Sequence, residues 1–283
     1  MITLKNEHLT VTVDEFGAQM RSLVCDDSNY LWSGDPLVWE ETAPILFPIC
    51  GGLKDDKYIL NGKEYTLPKH GYGRNTLFEV ESVTDTNVVL LHKSSDETKV
   101  MYPFDYEFRV CFALEDKEVK INYILNNLSS ETMYFGVGAH EGYATPEGIE
   151  DYDLIFDEEE TLGSHYVYGN LLSRATYPII KDSRVLPLYD KYFLVDALVF
   201  SGLKSKAATL RNRKTGRAVR VEFPDATYLL LWHKHGAGFM CVEPWLGAPD
   251  FEKTDFYIEN KDGITALEAG KSFNFAHNIK IVE

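Results

Sequence analysis

The stretch YEFRVCFALEDKEVKINYIL, residues 106–125, alternates large apolar residues with polar or small ones in two successive runs. One run places apolar side chains at every second position from Tyr106 to Leu114, and the other does so from Val119 to Leu125. A period of two residues is that of a β-strand with one buried face. The charged residues between the runs, Glu115–Glu118, mark a turn, so the stretch predicts an antiparallel hairpin.

Runs with the same period continue from one end of the chain to the other, at Leu9–Val13, Phe78–Val83, Val88–His92, Ala207–Leu210, Ala218–Phe223 and Ser272–Val282. Helical periodicity is scarce: Asp35–Glu41 is expected to form no more than a turn or two, and the acidic run Asp157–Glu160 is expected to be a solvated turn. Many short strands without alternating helices predict an all-β fold. We expect one large antiparallel β-sandwich with few short helices, formed by residues 1–283 as a single domain.

The charge of the chain limits its partners. Its 44 acidic and 28 basic side chains give a formal net charge of -16, and no basic stripe is set apart. Such a surface repels the phosphates of nucleic acid and of anionic membranes, so neither is expected as a partner. A neutral small molecule is the easier ligand.

The cysteines and the N-terminus bear on the compartment. The four cysteines, Cys25, Cys50, Cys111 and Cys241, are far apart and lie among apolar residues, as buried reduced thiols do. MITLKNEHLTVTV has no uninterrupted apolar segment, and the longest apolar run, Tyr228–Trp232, is too short to span a bilayer. We therefore expect a cytoplasmic protein.

Polar residues in glycine-rich or aromatic surroundings are the candidates for chemistry. They occur in KHGYGR (residues 69–74), GVGAHEGY (136–143), YFLVDALVF (192–200) and CVEPW (241–245), and they include His70, Arg74, His140, Asp196 and Glu243. His70, Arg74, His140 and Asp196 each also fit an ordinary structural or surface role. Glu243 is harder to explain that way, because an unpaired carboxylate inside an apolar run is costly to bury and has a raised pKa.

Other candidate chemistries find less support in the sequence. His233 and His235 would share a face of a strand, but no third ligand accompanies them, so no metal site is expected. His277 shares a face with Phe273, Phe275 and Ile279, which favours a packed structural role. The chain contains neither a phosphate-binding loop, nor a dinucleotide fingerprint, nor a serine nucleophile elbow. Acid–base chemistry remains.

Five segments, taken in order, resemble the landmark segments of the aldose 1-epimerase, or galactose mutarotase-like, family, and in particular its shorter bacterial branch associated with lactose and galactose operons. They are PILFPICGGL (44–53), KHGYGR, GVGAHEGYATP (136–146), DALVF (196–200) and CVEPWLGAPD (241–250). The resemblance implies a large β-sandwich and interconversion of the anomers of a free aldose. It also implies that Glu243 is the base and His140 the acid, while His70 and Asp196 bind the sugar. Neither a cofactor nor a metal is needed for such a reaction.

One position departs from the family pattern. The family commonly has a sugar-contacting arginine where this chain has Gly52, and Lys54 or Arg74 is a candidate to replace it. Aromatic residues such as Tyr72, Trp232 and Trp245 could offer apolar faces to the sugar, or simply pack in the core.

Three alternative functions stay open at this stage. A hexose-6-phosphate 1-epimerase would need convergent cations, for which Lys54, Lys57 and Arg74 are the candidates. A glycoside hydrolase would use Asp196 and Glu243 as its two carboxylates. A non-catalytic carbohydrate-binding or regulatory protein would be consistent with loss of the family arginine. The sequence is compatible with a monomer or a homodimer.

Overall fold

The computed structural model describes residues 1–282, and most of them lie in β-strands. In chain order the strands are β1 (Ile2–Lys5), β2 (Leu9–Asp14), β3 (Gln19–Cys25), β4 (Ser28–Asn29), β5 (Lys57–Leu60), β6 (Lys63–Thr66), β7 (Glu79–Val83), β8 (Asn87–Lys93), β9 (Tyr106–Glu115), β10 (Glu118–Asn127), β11 (Met133–Phe135), β12 (Val137–Gly138), β13 (Gly142–Ala144), β14 (Tyr152–Tyr168), β15 (Leu171–Pro187), β16 (Leu198–Ser201), β17 (Ala207–Asn212), β18 (Ala218–Glu222), β19 (Tyr228–Trp232), β20 (Phe239–Leu246), β21 (Thr265–Leu267) and β22 (Ser272–Val282). One α-helix, α1 (Asp96–Met101), and short 3-10 turns at Lys54–Asp56, Gly73–Asn75, Ile149–Asp151, Asp190–Phe193 and Ile258–Asn260 connect them.

The hairpin predicted from residues 106–125 is present as β9 and β10. These strands pair antiparallel from Glu115 opposite Glu118 to Tyr106 opposite Asn127, and their side chains alternate between buried and half-buried positions. The hairpin lies inside a nine-stranded sheet of order β15-β14-β17-β18-β22-β10-β9-β8-β7. The strands predicted near both termini also form, as β2 and β22.

A second large sheet faces the first across the core. It has the order β12-β20-β19-β16, with β13 also paired to β20. One cluster of buried apolar side chains includes Val110 and Phe275 from the nine-stranded sheet and Leu231 and Val242 from the five-stranded sheet. The all-β sandwich expected from the alternation is confirmed. No helix within residues 1–282 has the length and apolar character that crossing a membrane would require.

Asp35–Glu41 forms a turn and no helix, within the expected limit of a turn or two, and the short helix α1, which was not singled out from the sequence, begins with a capping box between Ser95 and Thr98. One local expectation was wrong. The acidic run Asp157–Glu160 is not a solvated turn but part of β14. Glu160 is buried there because its carboxylate accepts hydrogen bonds from the backbone N–H groups of Lys204 and Ser205.

The hairpin of β14 and β15 extends along the open edge of the nine-stranded sheet. Each strand has 17 residues, and β15 is the terminal strand. An edge position tolerates Pro178 and Pro187, because an edge strand leaves backbone positions without a sheet partner. The tip of this hairpin, between Tyr168 and Leu171, reaches the cavity described next.

Candidate active site

Seven of the side chains singled out from the sequence surround one cavity of about 400 Å³. They are Glu243, His140, His70, Arg74, Asp196, Trp232 and Trp245. This volume lies in the range of small-molecule sites, roughly 300–1,000 Å³. The residues come from five segments that are distant in sequence, so only the tertiary fold brings them together.

Glu243 is held by a strand that is buried along its whole length. All eight residues of β20 are buried, and β20 has β19 on one side and β12 and β13 on the other. Because side chains alternate along a strand, Glu243 and Trp245 point to the same face, and both line the cavity. The carboxylate is thereby fixed at the wall of the cavity with little exposure to solvent.

His140 is placed opposite Glu243 by the segment between β12 and β13. The backbone N–H of Ala139 donates to the carbonyl of Pro244, and the indole N–H of Trp245 donates to the carbonyl of Ala139, each at 3.1 Å. These bonds tie the histidine segment to the strand that carries the glutamate. His140 Nε2 consequently lies 3.4 Å from Glu243 Oε2.

Two buried atoms of this pair have no hydrogen-bond partner within residues 1–282. They are His140 Nδ1 and Glu243 Oε2. Buried polar atoms are nearly always paired, so unpaired ones in a cavity mark positions where a ligand's polar groups can bind. The rings of Trp39 and Trp232, with centroids 5.3 and 5.7 Å from that of His140, enclose the pair.

Burial shifts the proton affinities of both groups toward their neutral forms. Desolvation raises the pKa of Glu243 well above its usual value, and the nearby cation of Lys69 only partly opposes this shift. Desolvation lowers the pKa of His140, and the positive charge of Arg74 lowers it further. Opposite shifts in adjacent titratable groups are a feature of sites that transfer protons.

His70 also lines the cavity, and its backbone geometry fixes the orientation of its ring. The ring Nδ1 of His70 accepts a hydrogen bond of 3.1 Å from the backbone N–H of Gly51, and the backbone N–H of His70 donates to the Gly51 carbonyl. Burial lowers the pKa of this imidazole well below its usual range. Since Nδ1 is an acceptor, the neutral ring carries its proton on Nε2, which is available as a donor.

Asp196 and Arg74 contribute opposite charges to the wall of the cavity. One carboxylate oxygen of Asp196 accepts the N–H of Ala197 at 2.7 Å, and the other has no partner within the described residues. The Arg74 guanidinium donates to Glu41 at 3.1 Å, while its buried Nε is unpaired within residues 1–282. Arg74 is thus already partly neutralised by Glu41.

The structure does not place Lys54 at the cavity. Its ammonium group donates to the backbone carbonyl of Glu252 at 3.0 Å and lies over the ring of Phe256. Lys54 is therefore not the replacement for the missing arginine. At Gly52, a Cβ atom would lie only 2.6 Å from Cβ of Asn170, so any larger residue would collide with the tip of the β14–β15 hairpin.

Several cavity residues were missed by the sequence reasoning, namely Trp39, Glu41, Lys69 and Asn170. Lys69 stands next to His70 in a segment that was singled out, so proximity in sequence was a usable signal. Trp39 and Asn170 had none, because their segments reach the cavity only through tertiary packing.

Three other histidines considered from the sequence, His233, His235 and His277, have carboxylate partners. His233 and His235 both contact the carboxylate of Asp190, the former at 2.8 Å, and His277 is bonded to Glu141 at 3.0 Å in the core. The only group of three or more potential metal ligands in residues 1–282 is His140, Cys241 and Glu243. Burial raises the pKa of the Cys241 thiol well above its usual value, so the thiolate that a metal would bind is disfavoured.

The large antiparallel β-sandwich is the fold of galactose mutarotase-like proteins, and its cavity here holds a histidine–carboxylate pair beside tryptophan rings. The chain matches the sequence model of the family "Aldose 1-epimerase" over residues 1–280, and it belongs to this family.

Individual relatives agree with this assignment. The plasmid-encoded protein LacX of Lactococcus lactis subsp. lactis is 35% identical over an alignment of 281 residues, and the alignment covers 94% of each chain. A galactose mutarotase related enzyme from Lactobacillus acidophilus superposes with a TM-score of 0.95 at 32% identity, covering 100% of this chain and 97% of the other. A galactose mutarotase-like protein from Lactobacillus casei gives 0.94 at 28% identity, with 100% of both chains covered.

Proposed function

We propose that this protein is an aldose 1-epimerase that interconverts the α and β anomers of a free, uncharged aldohexose such as galactose or glucose. The observation that carries the proposal is the contact between Glu243 and His140. Their side chains lie 3.4 Å apart in the cavity, and each keeps one buried atom without a partner within residues 1–282. A base and an acid held side by side are what opening a cyclic hemiacetal requires.

The reaction needs two proton transfers and one rotation. The Glu243 carboxylate removes the proton of the O1 hydroxyl while the His140 imidazolium donates a proton to the ring oxygen O5. The C1–O5 bond breaks, its electron pair goes to O5, and a carbonyl forms at C1. Rotation about C1–C2 presents the other face of the aldehyde to O5, and ring closure reverses both transfers. No cofactor takes part in these steps.

The pair needs a single proton for this cycle. Because burial disfavours both charges, the empty site retains that proton on Glu243 and keeps His140 neutral. A bound sugar provides hydroxyl groups that hydrogen-bond the carboxylate and the imidazolium, which stabilises the charged form for ring opening. His70 Nε2 and the free oxygen of Asp196 supply further contacts to hydroxyls, and Trp232 offers an apolar face.

The charges around the cavity favour a neutral sugar over a hexose 6-phosphate. Of the three cations considered for a phosphate, Lys54 lies elsewhere, Lys57 is paired with Glu64, and Arg74 is paired with Glu41. Lys69 adds one cation, but Glu243 and Asp196 stand in the same cavity. A phosphate dianion would find too little compensating charge.

Polarimetry or NMR of freshly dissolved α-D-galactose and α-D-glucose tests the proposal directly. The wild-type protein should accelerate anomer equilibration, and Glu243→Gln should lower kcat by about 10²–10⁴-fold, the contribution of one positioned acid or base. Glu268→Gln, at an exposed position outside the cavity, is the matched control and should keep the full rate. A wild-type protein that leaves the equilibration rates unchanged would refute the proposal, as would a fully active Glu243→Gln variant. Faster turnover of glucose 6-phosphate than of glucose would instead favour the phosphate-sugar alternative.

A further inference from the structure

The tip of the β14–β15 hairpin brings an unassigned polar group to the candidate site. Gly169 and Asn170 form the tip, and Val167, Asn170 and Leu172 line the cavity that contains Glu243 and His140. Asn170 is exposed and its side chain makes no hydrogen bond within residues 1–282, while its Cβ and carbonyl oxygen lie close to Gly52. Asn170 is thus a solvent-exposed turn residue, as asparagines at hairpin tips often are, but it differs from an ordinary one because it also lines the cavity.

The hairpin tip is anchored by backbone hydrogen bonds. The N–H of Leu172 donates to the carbonyl of Asp250 at 2.8 Å, and the N–H of Glu252 donates to the carbonyl of Leu172 at 2.9 Å. The N–H of Asp250 donates in turn to the carbonyl of Gly52 at 2.9 Å. Asn170 therefore lies two residues from a bonded junction, so its backbone is already positioned when a ligand binds.

The absence of a side chain at Gly52 allows the hairpin tip to approach the cavity wall. A Cβ built on Gly52 would lie 2.6 Å from Cβ of Asn170 and 3.1 Å from its carbonyl oxygen. Distances this short to a Cβ and to backbone cannot be relieved by turning a flexible side-chain end. The two positions are thus coupled, because the hairpin tip can occupy the cavity wall only while residue 52 has no side chain.

We propose that the Asn170 carboxamide binds hydroxyl groups of the sugar, and that Gly52 is the residue that admits it. The inference rests on the proposed function and adds a determinant of substrate specificity to it. A carboxamide both donates and accepts hydrogen bonds without a charge, which suits neighbouring hydroxyls of a neutral aldose. It adds no cation to a cavity in which Arg74 is already paired with Glu41, so it offers a phosphate no compensating charge.

The expected kinetic effect separates this role from a catalytic one. Asn170 would contact hydroxyls to the same extent in the ground state and in the transition state, so it contributes uniform binding. Asn170→Ala should raise KM about 3- to 10-fold, as expected for loss of one or two neutral hydrogen bonds, and should leave kcat unchanged. Asn274→Ala, at an exposed position on β22, is the matched control.

Deoxy sugars identify the hydroxyl and exclude an indirect effect. Glucose analogues lacking the 2-, 3-, 4- or 6-hydroxyl are compared in kcat/KM with wild type and Asn170→Ala. The analogue lacking the bound hydroxyl should lose activity with wild type but much less with the variant, because the contact is already gone. Gly52→Ala should reproduce the KM increase of Asn170→Ala, and the double variant should add little to it.

Measuring sugar binding by NMR titration as well distinguishes failure of the Asn170 inference from failure of the proposed epimerase function. Active wild type with an unchanged KM in Asn170→Ala, or deoxy analogues that lose equally in both proteins, would overturn the Asn170 inference alone. Wild type that binds an aldose without equilibrating its anomers, and binds it more weakly after Asn170→Ala, would refute only the epimerase. Wild type that neither binds nor turns over an aldose would refute both.

Discussion

Lys261 and Asp250 form a buried ion pair beside the candidate site, and replacing Lys261 with methionine should strongly destabilise the protein. The side chains are only 4% and 6% exposed, and the ammonium group donates to Asp250 Oδ1 at 2.8 Å and to the Ala248 carbonyl at 2.7 Å. Methionine keeps much of the apolar stem, so the loss is chiefly that of two hydrogen bonds from a charged group, at about 1.5–3 kcal/mol each. The Asp250 carboxylate would keep only the hydrogen bond from the backbone N–H of Lys54, at 3.0 Å, and removing one partner of a buried ion pair typically costs about 3–5 kcal/mol. We expect a loss of about 3–5 kcal/mol.

Urea unfolding followed by tryptophan fluorescence measures this loss. Lys271→Met, at an exposed position, is the control and should change the free energy of unfolding by less than about 0.5 kcal/mol. Adding Asp250→Asn to Lys261→Met removes the unpaired charge and should recover at least half of the stability. The reasoning is refuted if Lys261→Met costs less than about 1 kcal/mol, or if the double variant is no more stable than the single one.

Two further predictions concern pH and a buried amide. Because burial lowers the pKa of His140 and raises that of Glu243, kcat/KM should stay level through about pH 6.5, where an ordinary histidine titrates. Activity should fall in stronger acid, where the Glu243–His140 pair binds a second proton, and at a pH above the raised pKa of Glu243, where the pair loses its single proton. An inflection of the kcat/KM profile near pH 6.5 would contradict this. Asn127→Ala should cost about 2–4 kcal/mol in urea unfolding, since this buried amide donates to the carbonyls of Glu131 and Leu267 and accepts from Ser129. A loss below about 1 kcal/mol would show that water replaces these bonds.

The alternation of residues 106–125 was sufficient to predict a hairpin, because half-buried strands must present apolar side chains at every second position. The long strands β14 and β15 carry no comparable signal. Much of β15 is exposed, and the buried Glu160 of β14 is satisfied by backbone N–H groups from another segment. β14 does bury alternate residues, but Glu160 and Ser164 are polar, and β15 is mostly exposed, so apolar alternation marks neither strand over its full length.

The sequence by itself determined the fold class and family of this protein, and it named Glu243 and His140 through their segments. The sequence was sufficient for these because strand periodicity and local motifs depend only on residues that are close together along the chain. Only the tertiary structure decided that Glu243 and His140 lie in contact, that Lys54 points elsewhere, and that Asn170 takes the space beside Gly52. Those facts depend on distances between segments up to some two hundred residues apart, which packing and hydrogen bonding set and local sequence does not encode.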